Sequence, residues 1–270
     1  MFERCSQLWG LIADGDPITT PTATLFPVLW RDRPAMLKLS SQEDQQRGAG
    51  LMEWWNGDGA ARVFARDKDA LLMERTTGSR SLAEMARNGR DDESCRILCA
   101  TAAKLHADRP GALPDLVPLA RWFRDLEPAA VKHGGILLRC ADTARMLLAD
   151  PRDRMVLHGD LHHDNVLDFG PRGWCAIDPH GLIGERGFDF ANIFTNPDLS
   201  DPSRPVATEP GRFARRLDVV AEAAELDRQR LLQWILAWTG LSSAWFLEDS
   251  DPLARIDLQI AELAAAELDR

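Results

Sequence analysis

The sequence predicts an α+β chain of two lobes, a small β-rich lobe followed by a larger, mainly helical one. Short apolar runs divided by turn residues fill the first 75 positions. Helical periodicity takes over beyond Thr77-Gly78, and a single strand–turn–strand, Val166–Phe169 with Trp174–Ile177, interrupts it. The change of character sets a hinge near Glu74–Gly78 and divides the chain into residues 1–75 and 76–270. A cleft between two such lobes is where ligands commonly sit.

In the first lobe, Leu25–Leu29 and Ala35–Leu39 read as a hairpin around Arg31-Asp32-Arg33-Pro34. Ser40-Ser41-Gln42-Glu43 fits a capping box, so a helix is expected from there to about Trp55, where Asn56-Gly57-Asp58-Gly59 stops it. Arg62–Ala65 and Ala70–Glu74 read as two further strands. In the second lobe, Asp91-Asp92 opens a helix that places Cys95, Leu98, Ala102 and Leu105 on one face. Pro110, Pro114 and Pro118 mark an irregular connection; helices are expected over 119–132 and 136–149, and again from about Pro210 onward.

The 270 residues carry a net charge of -10, which argues against nucleic acid as a partner and is compatible with a cationic small molecule. The first 75 residues hold nine basic and eleven acidic side chains, so most of the acidic excess belongs to the second lobe. Five irregularly spaced cysteines form no CxxC, and Cys95 and Cys99 read as packing residues. No signal-peptide pattern opens the chain, and its most apolar stretch, Trp234–Leu247, is too short to span a bilayer. A cytoplasmic monomer with no membrane partner is the expectation.

The chemistry concentrates in His158-Gly159-Asp160-Leu161-His162-His163-Asp164-Asn165, followed by the hairpin and then Ile177-Asp178-Pro179. Asn165 enters the first strand and Asp178 leaves the second, so an antiparallel hairpin sets them side by side with Asp160 in the loop leading in. Hard oxygen donors gathered in this way suit Mg²⁺ carrying nucleotide phosphates. Phosphoryl transfer needs this set, because its loose transition state is served mainly by positioning and charge neutralisation.

These residues resemble the aminoglycoside phosphotransferase family, whose loop pattern is HGDxxxxN, with IDP standing where protein kinases have DFG. The resemblance implies a bilobal protein-kinase-like fold, ATP and Mg²⁺ as cofactors, 1–75 as the nucleotide-binding lobe and 76–270 as the catalytic and substrate-binding lobe. It makes Asp160 the base, Asn165 and Asp178 the metal ligands, and His158 and Asp189 structural. Lys38 corresponds to the strand lysine that holds the α- and β-phosphates, and the backbone at Glu74 and Thr76 to the adenine-contacting hinge. Where the family places the acid that pairs with the lysine, this chain has Gln45 and Gln46; the partner stays unassigned, with Glu43 the favourite. Thr19–Thr24 stands in the place of a glycine-rich loop. His162 and His163 read as loop supports, and His180 as a wall of the site.

WWNGDGAARV (54–63), RGWCAIDPHGLIGERGFDFANIFTNP (172–197) and AWTGLSSAWF (237–246) resemble the streptomycin 6-phosphotransferase subgroup, with which hydroxyurea-type resistance kinases share the GLIGE run. The implied activity is ATP-dependent phosphorylation of an aminoglycoside, at the 6-hydroxyl of the streptidine ring of streptomycin. Such a polycation needs carboxylates and aromatic faces, for which Glu185, Asp198, Asp201, Trp245 and Glu248 are the candidates. Trp234 and Trp238 share a helical face and read as core, whereas Trp245 divides evenly between core and ligand platform. The alternatives are a metabolic kinase of a sugar, choline or homoserine hydroxyl, a hydroxyurea-type resistance kinase, and a kinase-fold binding module without catalysis.

Overall fold

A computed structural model describes residues 1–270. The chain opens with a helix absent from the sequence expectation, α1 (Phe2–Trp9). It is followed by β1 (Leu11–Ala13), β2 (Ile18–Thr19), β3 (Thr24–Trp30), β4 (Arg33–Leu39), α2 (Glu43–Trp55), β5 (Val63–Asp67) and β6 (Ala70–Glu74). The strands form one antiparallel sheet in the order β1-β3-β4-β6-β5, with β2 also on β3. Arg31 and Asp32, both at positive φ, form the two-residue turn between β3 and β4, a geometry whose twist suits a hairpin.

Alternation along β4 does the positioning. Ala35 and Leu37 enter a small core with Val28, Leu72 and Cys5 of α1, while Met36 packs against the main core on the other face. Lys38 follows the second direction, and only 8% of its surface stays exposed. The capping box does not form. Helix α2 begins at Glu43 without a side-chain cap, because the Ser40 hydroxyl donates to the Thr22 carbonyl at 2.7 Å.

Beyond Glu74 the chain is mainly helical: α3 (Leu82–Met85), α4 (Asp91–Leu105), α5 (Leu119–Trp122), α6 (Leu126–His133) and α7 (Ile136–Ala149). Cys95, Leu98, Ala102 and Leu105 are buried as the periodicity of α4 predicts. Three short strands that the sequence reading missed, β7 (Val117–Pro118), β8 (Arg154–Leu157) and β11 (Leu182–Glu185), form a sheet in the order β7-β11-β8. Two to four residues each, they are too short to display an alternation. The predicted hairpin is β9 (Val166–Asp168) with β10 (Trp174–Ala176).

The chain finishes with α8 (Gly187–Ala191), α9 (Arg212–Ala223), α10 (Arg228–Glu248) and α11 (Ala254–Leu268). Helix α10 is buried on every side from Trp234 to Ala244, with Trp234 and Trp238 in the core as read. No helix is long and apolar enough to cross a membrane. All five cysteines are unpaired and buried, and burial pushes the Cys95 and Cys140 thiols up to about 12.

Candidate active site

The site forms where the loop between β8 and β9 meets the end of β10 and the cleft-facing side of β4. Asp189 of α8 holds the loop. Its carboxylate accepts from the backbone N–H groups of His158 and Gly159, each at 2.8 Å, and sits 2.8 Å from His106 Nε2. The buried His158 ring is fixed by both nitrogens: Nε2 donates to the Ile177 carbonyl at 2.9 Å, and Nδ1 accepts from the Asp160 N–H at 3.2 Å. Burial holds its pKa below the usual range, consistent with a neutral ring that links the loop to the end of the hairpin.

Asp160 is thereby presented half-exposed, with both oxygens directed. Oδ1 accepts from Asn192 Nδ2 at 2.6 Å, and Oδ2 from Asn165 Nδ2 at 2.8 Å, with His162 Nε2 3.5 Å away. Burial opposes ionisation of Asp160, but His162 and the neighbouring histidines outweigh it and hold the carboxyl down to about 2. Asn192 was missed by sequence reasoning. The available signal was its spacing, three residues after Asp189, which puts both on one turn of chain beside the loop. Arg216 of α9 secures that turn by donating to the Ile193 and Asn196 carbonyls at 2.7 and 2.6 Å while pairing with buried Asp91 at 2.8 Å.

Asp178 leaves the hairpin at φ 58°, a left-handed conformation that costs a non-glycine residue on the order of 1 kcal/mol and aims the carboxylate at β4. Its Oδ1 accepts from Lys38 Nζ at 2.5 Å across 140 residues of sequence. Asp160, Asn165, Asp178 and Lys38 are thus brought together as expected. Glu43 is not with them. It is exposed on α2 and makes no ion pair, so the favoured partner of Lys38 is replaced by Asp178.

The hinge is strapped to the hairpin. Glu74 pairs with Arg172 of the hairpin turn, Thr76 Oγ1 donates to the Asp168 carbonyl, and Arg80 grips the Asp168 carboxylate at 2.7 and 2.9 Å. Gly78 is required there, since a Cβ would lie 2.4 Å from Asp168 Oδ2. The Glu74 N–H is already bonded to the Arg62 carbonyl at 2.8 Å, whereas the Thr76 backbone makes no hydrogen bond within the chain. In place of glycines, Thr20 shapes the turn between β2 and β3, its hydroxyl accepting from the Ala23 N–H at 3.0 Å.

Two of the proposed substrate acids belong to the framework instead. Glu185 is 4% exposed and enclosed by Arg230 at 2.6 Å, Trp234 Nε1 at 2.8 Å and the Arg152 N–H at 2.9 Å. Asp198 is buried and accepts from the N–H groups of Val206, Ala207 and Thr208. Asp201 organises its own turn through Ser203 and lies 3.8 Å from Arg87. Trp245 and Glu248 lie on a different wall: Trp245 Nε1 is 3.3 Å from Asp125 Oδ2, and Asp125 and Glu248 line one cavity beneath α6 and α10. Trp122, also missed, joins that wall to the catalytic loop, with its ring 5.6 Å from Trp245 and 5.0 Å from His180. His163 is buried with neither ring nitrogen bonded, a loop support without a polar role.

Comparison with known proteins decides the family. The model of the aminoglycoside/hydroxyurea antibiotic resistance kinases matches residues 8–250. The chain belongs to that family. It is 55% identical to the streptomycin 3''-kinase of Klebsiella pneumoniae, over 97% of this chain and all of the relative. It is 33% identical to the streptomycin 6-kinase of Streptomyces griseus, over 98% of this chain and 88% of the relative. Among solved structures it resembles a choline/ethanolamine kinase family protein from Mesorhizobium loti, with a TM-score of 0.68 and 13% identity over 100% of this chain and 95% of that one. At that identity the likeness speaks for the bilobal kinase-like fold. As a member of the family, the chain is an antibiotic-resistance kinase.

Proposed function

We propose that the protein transfers the γ-phosphate of ATP to a hydroxyl of streptomycin, with residues 1–75 holding the nucleotide and 76–270 the acceptor. The observation that carries this is the convergence of Lys38, Asp160, Asn165, Asp178 and Asn192 at one end of a hairpin, in a chain of this family. Lys38 binds the phosphates. Asp160, held in its carboxylate form by His162 and the neighbouring histidines against the opposing effect of burial, orients the acceptor hydroxyl and accepts its proton. Asn192 keeps its carboxylate aimed. The free Thr76 backbone groups suit an adenine edge.

The oxygens present fit Mg²⁺. Asn165 donates through Nδ2, leaving Oδ1 without a protein partner, and Asp178 Oδ2 is likewise unbonded. Asn165 and Asp178 would hold the ion, which supplies charge neutralisation along the phosphates.

On the acceptor side, Trp122 lies against His180 beside the loop and meets Trp245, which contacts the Asp125 carboxylate; Glu248 lines an adjoining cavity with Asp125 and Lys132. Planar guanidinium groups suit both aromatic faces and carboxylates, and streptomycin carries two such groups on its streptidine ring. Recognition of that ring favours its 6-hydroxyl as acceptor, in keeping with the 6-kinase relatives. The 55% identity to a 3''-kinase favours the second reading, a hydroxyl on the opposite sugar. The test is a panel of streptomycin, kanamycin, hydroxyurea and choline with Mg²⁺–ATP, followed by mass detection and NMR localisation of the phosphate. Streptomycin 6-phosphate as the main product is expected. A 3''-phosphate would select the second reading, and turnover of choline without turnover of streptomycin would overturn the proposal.

A further inference from the structure

The sole carboxylate paired with Lys38 is the one best suited to the metal. Lys38 is nearly enclosed, and Asp178 is its only ion-pair partner. When a cation takes that carboxylate, the buried ammonium needs another oxygen, because an ammonium stripped of partners inside a protein is strongly disfavoured. Helix α2 is the neighbouring element. Its three acids cannot serve: Glu43 is exposed, Asp44 Oδ1 accepts from the Gln45 N–H at 2.8 Å while Oδ2 lies 3.9 Å from His180, and Glu53 pairs with Arg66 at 2.7 Å. Gln46 is already engaged, its Nε2 donating to Asp69 at 2.8 Å.

Gln45 remains. It lines the same cavity as Lys38, Asp178 and Pro179, and its Oε1 is buried without any hydrogen-bond partner. A carbonyl oxygen left orphaned in a cavity that also holds a buried ammonium is a feature that calls for explanation. The helix is held close to that position by Gly48, three residues on, which packs so tightly on the Pro179 carbonyl that a Cβ would lie 2.0 Å from it.

We infer that Gln45 is the positioning residue for Lys38 in the nucleotide-bound protein, a neutral amide where an acid would be expected. The inference rests on the phosphotransferase reading. In the free protein Lys38 rests on Asp178. With Mg²⁺ and nucleotide bound, the ion would hold Asp178, and Lys38 would place one N–H on Gln45 Oε1 and offer the others to the phosphates. The amide accepts one hydrogen bond without a charge of its own, so the lysine meets the phosphates with its full charge.

The experiment is calorimetric titration of Mg²⁺ with the non-hydrolysable nucleotide AMP-PNP into the wild-type protein, Gln45→Leu and Gln45→Glu, with thermal unfolding of each. The Leu variant should bind about tenfold more weakly, the loss expected of one hydrogen bond to a charged group. Its Tm should stay level or rise, because an unsatisfied buried oxygen has been removed. The Glu variant, which keeps an acceptor oxygen, should bind within threefold of wild type. Unchanged affinity in the Leu variant, a fall in affinity accompanied by a lowered Tm, or equal weakening in both variants would overturn the inference. Failure of the wild-type protein to bind Mg²⁺–AMP-PNP would overturn it together with the reading on which it rests.

Discussion

Gly48→Ala is the substitution whose consequence follows most directly from the geometry. A Cβ at this position falls 2.0 Å from the Pro179 carbonyl oxygen and 3.1 Å from its carbon, where contacts under 3.0 Å are essentially never seen. The shortfall is about 1 Å, and both atoms are backbone, so no side-chain rotation relieves it. Either α2 or the Asp178-Pro179 turn must withdraw, and with it Lys38 loses its register on Asp178. Overpacking of this kind costs about 1–3 kcal/mol of stability, and a 1 Å misplacement of a reacting assembly costs on the order of a hundredfold in rate. Gly50→Ala on the same helix is the control. There a Cβ meets only Arg66 Nη1 at 3.4 Å, an ordinary contact, so the better helix former should add about 0.5–1 kcal/mol. Urea unfolding and kcat/KM for streptomycin phosphorylation measure both variants. If Gly48→Ala stayed within threefold of wild type and gained stability as Gly50→Ala does, the seam between α2 and the Asp178 turn would not be what holds the site.

Three further outcomes are expected. Asn192→Ala removes a charge-assisted hydrogen bond of 2.6 Å from Asp160, so kcat should fall about tenfold or more, with nucleotide affinity by calorimetry unchanged. Glu185→Gln should lower stability by about 1–3 kcal/mol in urea unfolding, because it removes the counter-charge of the half-buried Arg230; the KM for streptomycin should not move. Asp257, buried against α10, has its carboxyl pushed up to about 8 by burial, with the nearby Ser242 hydroxyl opposing. Between its ordinary value near 3.8 and about 8 the folded chain therefore holds a proton that the unfolded chain has released. Its contribution to stability falls as pH rises through that window, by up to several kcal/mol in all, and levels off above it. Asp257→Asn should flatten the slope between about pH 5 and 8, and an unaltered slope would show that another group sets it.

What the sequence by itself determined was the contiguous chemistry. Asp160, Asn165 and Asp178 lie within twenty residues, and a hairpin is a local structure whose turn and pairing dictate which ends meet. Helix α4 was legible for the same reason, since its apolar periodicity repeats within the element. The acids were a different matter, because a carboxylate's role depends on partners distant in the chain. Glu185 looked available until Arg230, 45 residues on, enclosed it, and Asp198 until the 206–208 backbone wrapped it. Asn192 and Trp122 carry no motif of their own; the folding of α8 and α5 against the loop gives them their positions. The pairing of Lys38 with Asp178, 140 residues on, was decided by how the cleft-facing side of β4 packs against the end of the hairpin. Bonded neighbours fix local geometry within a few residues, but the pairing of buried charges is settled only when whole elements pack.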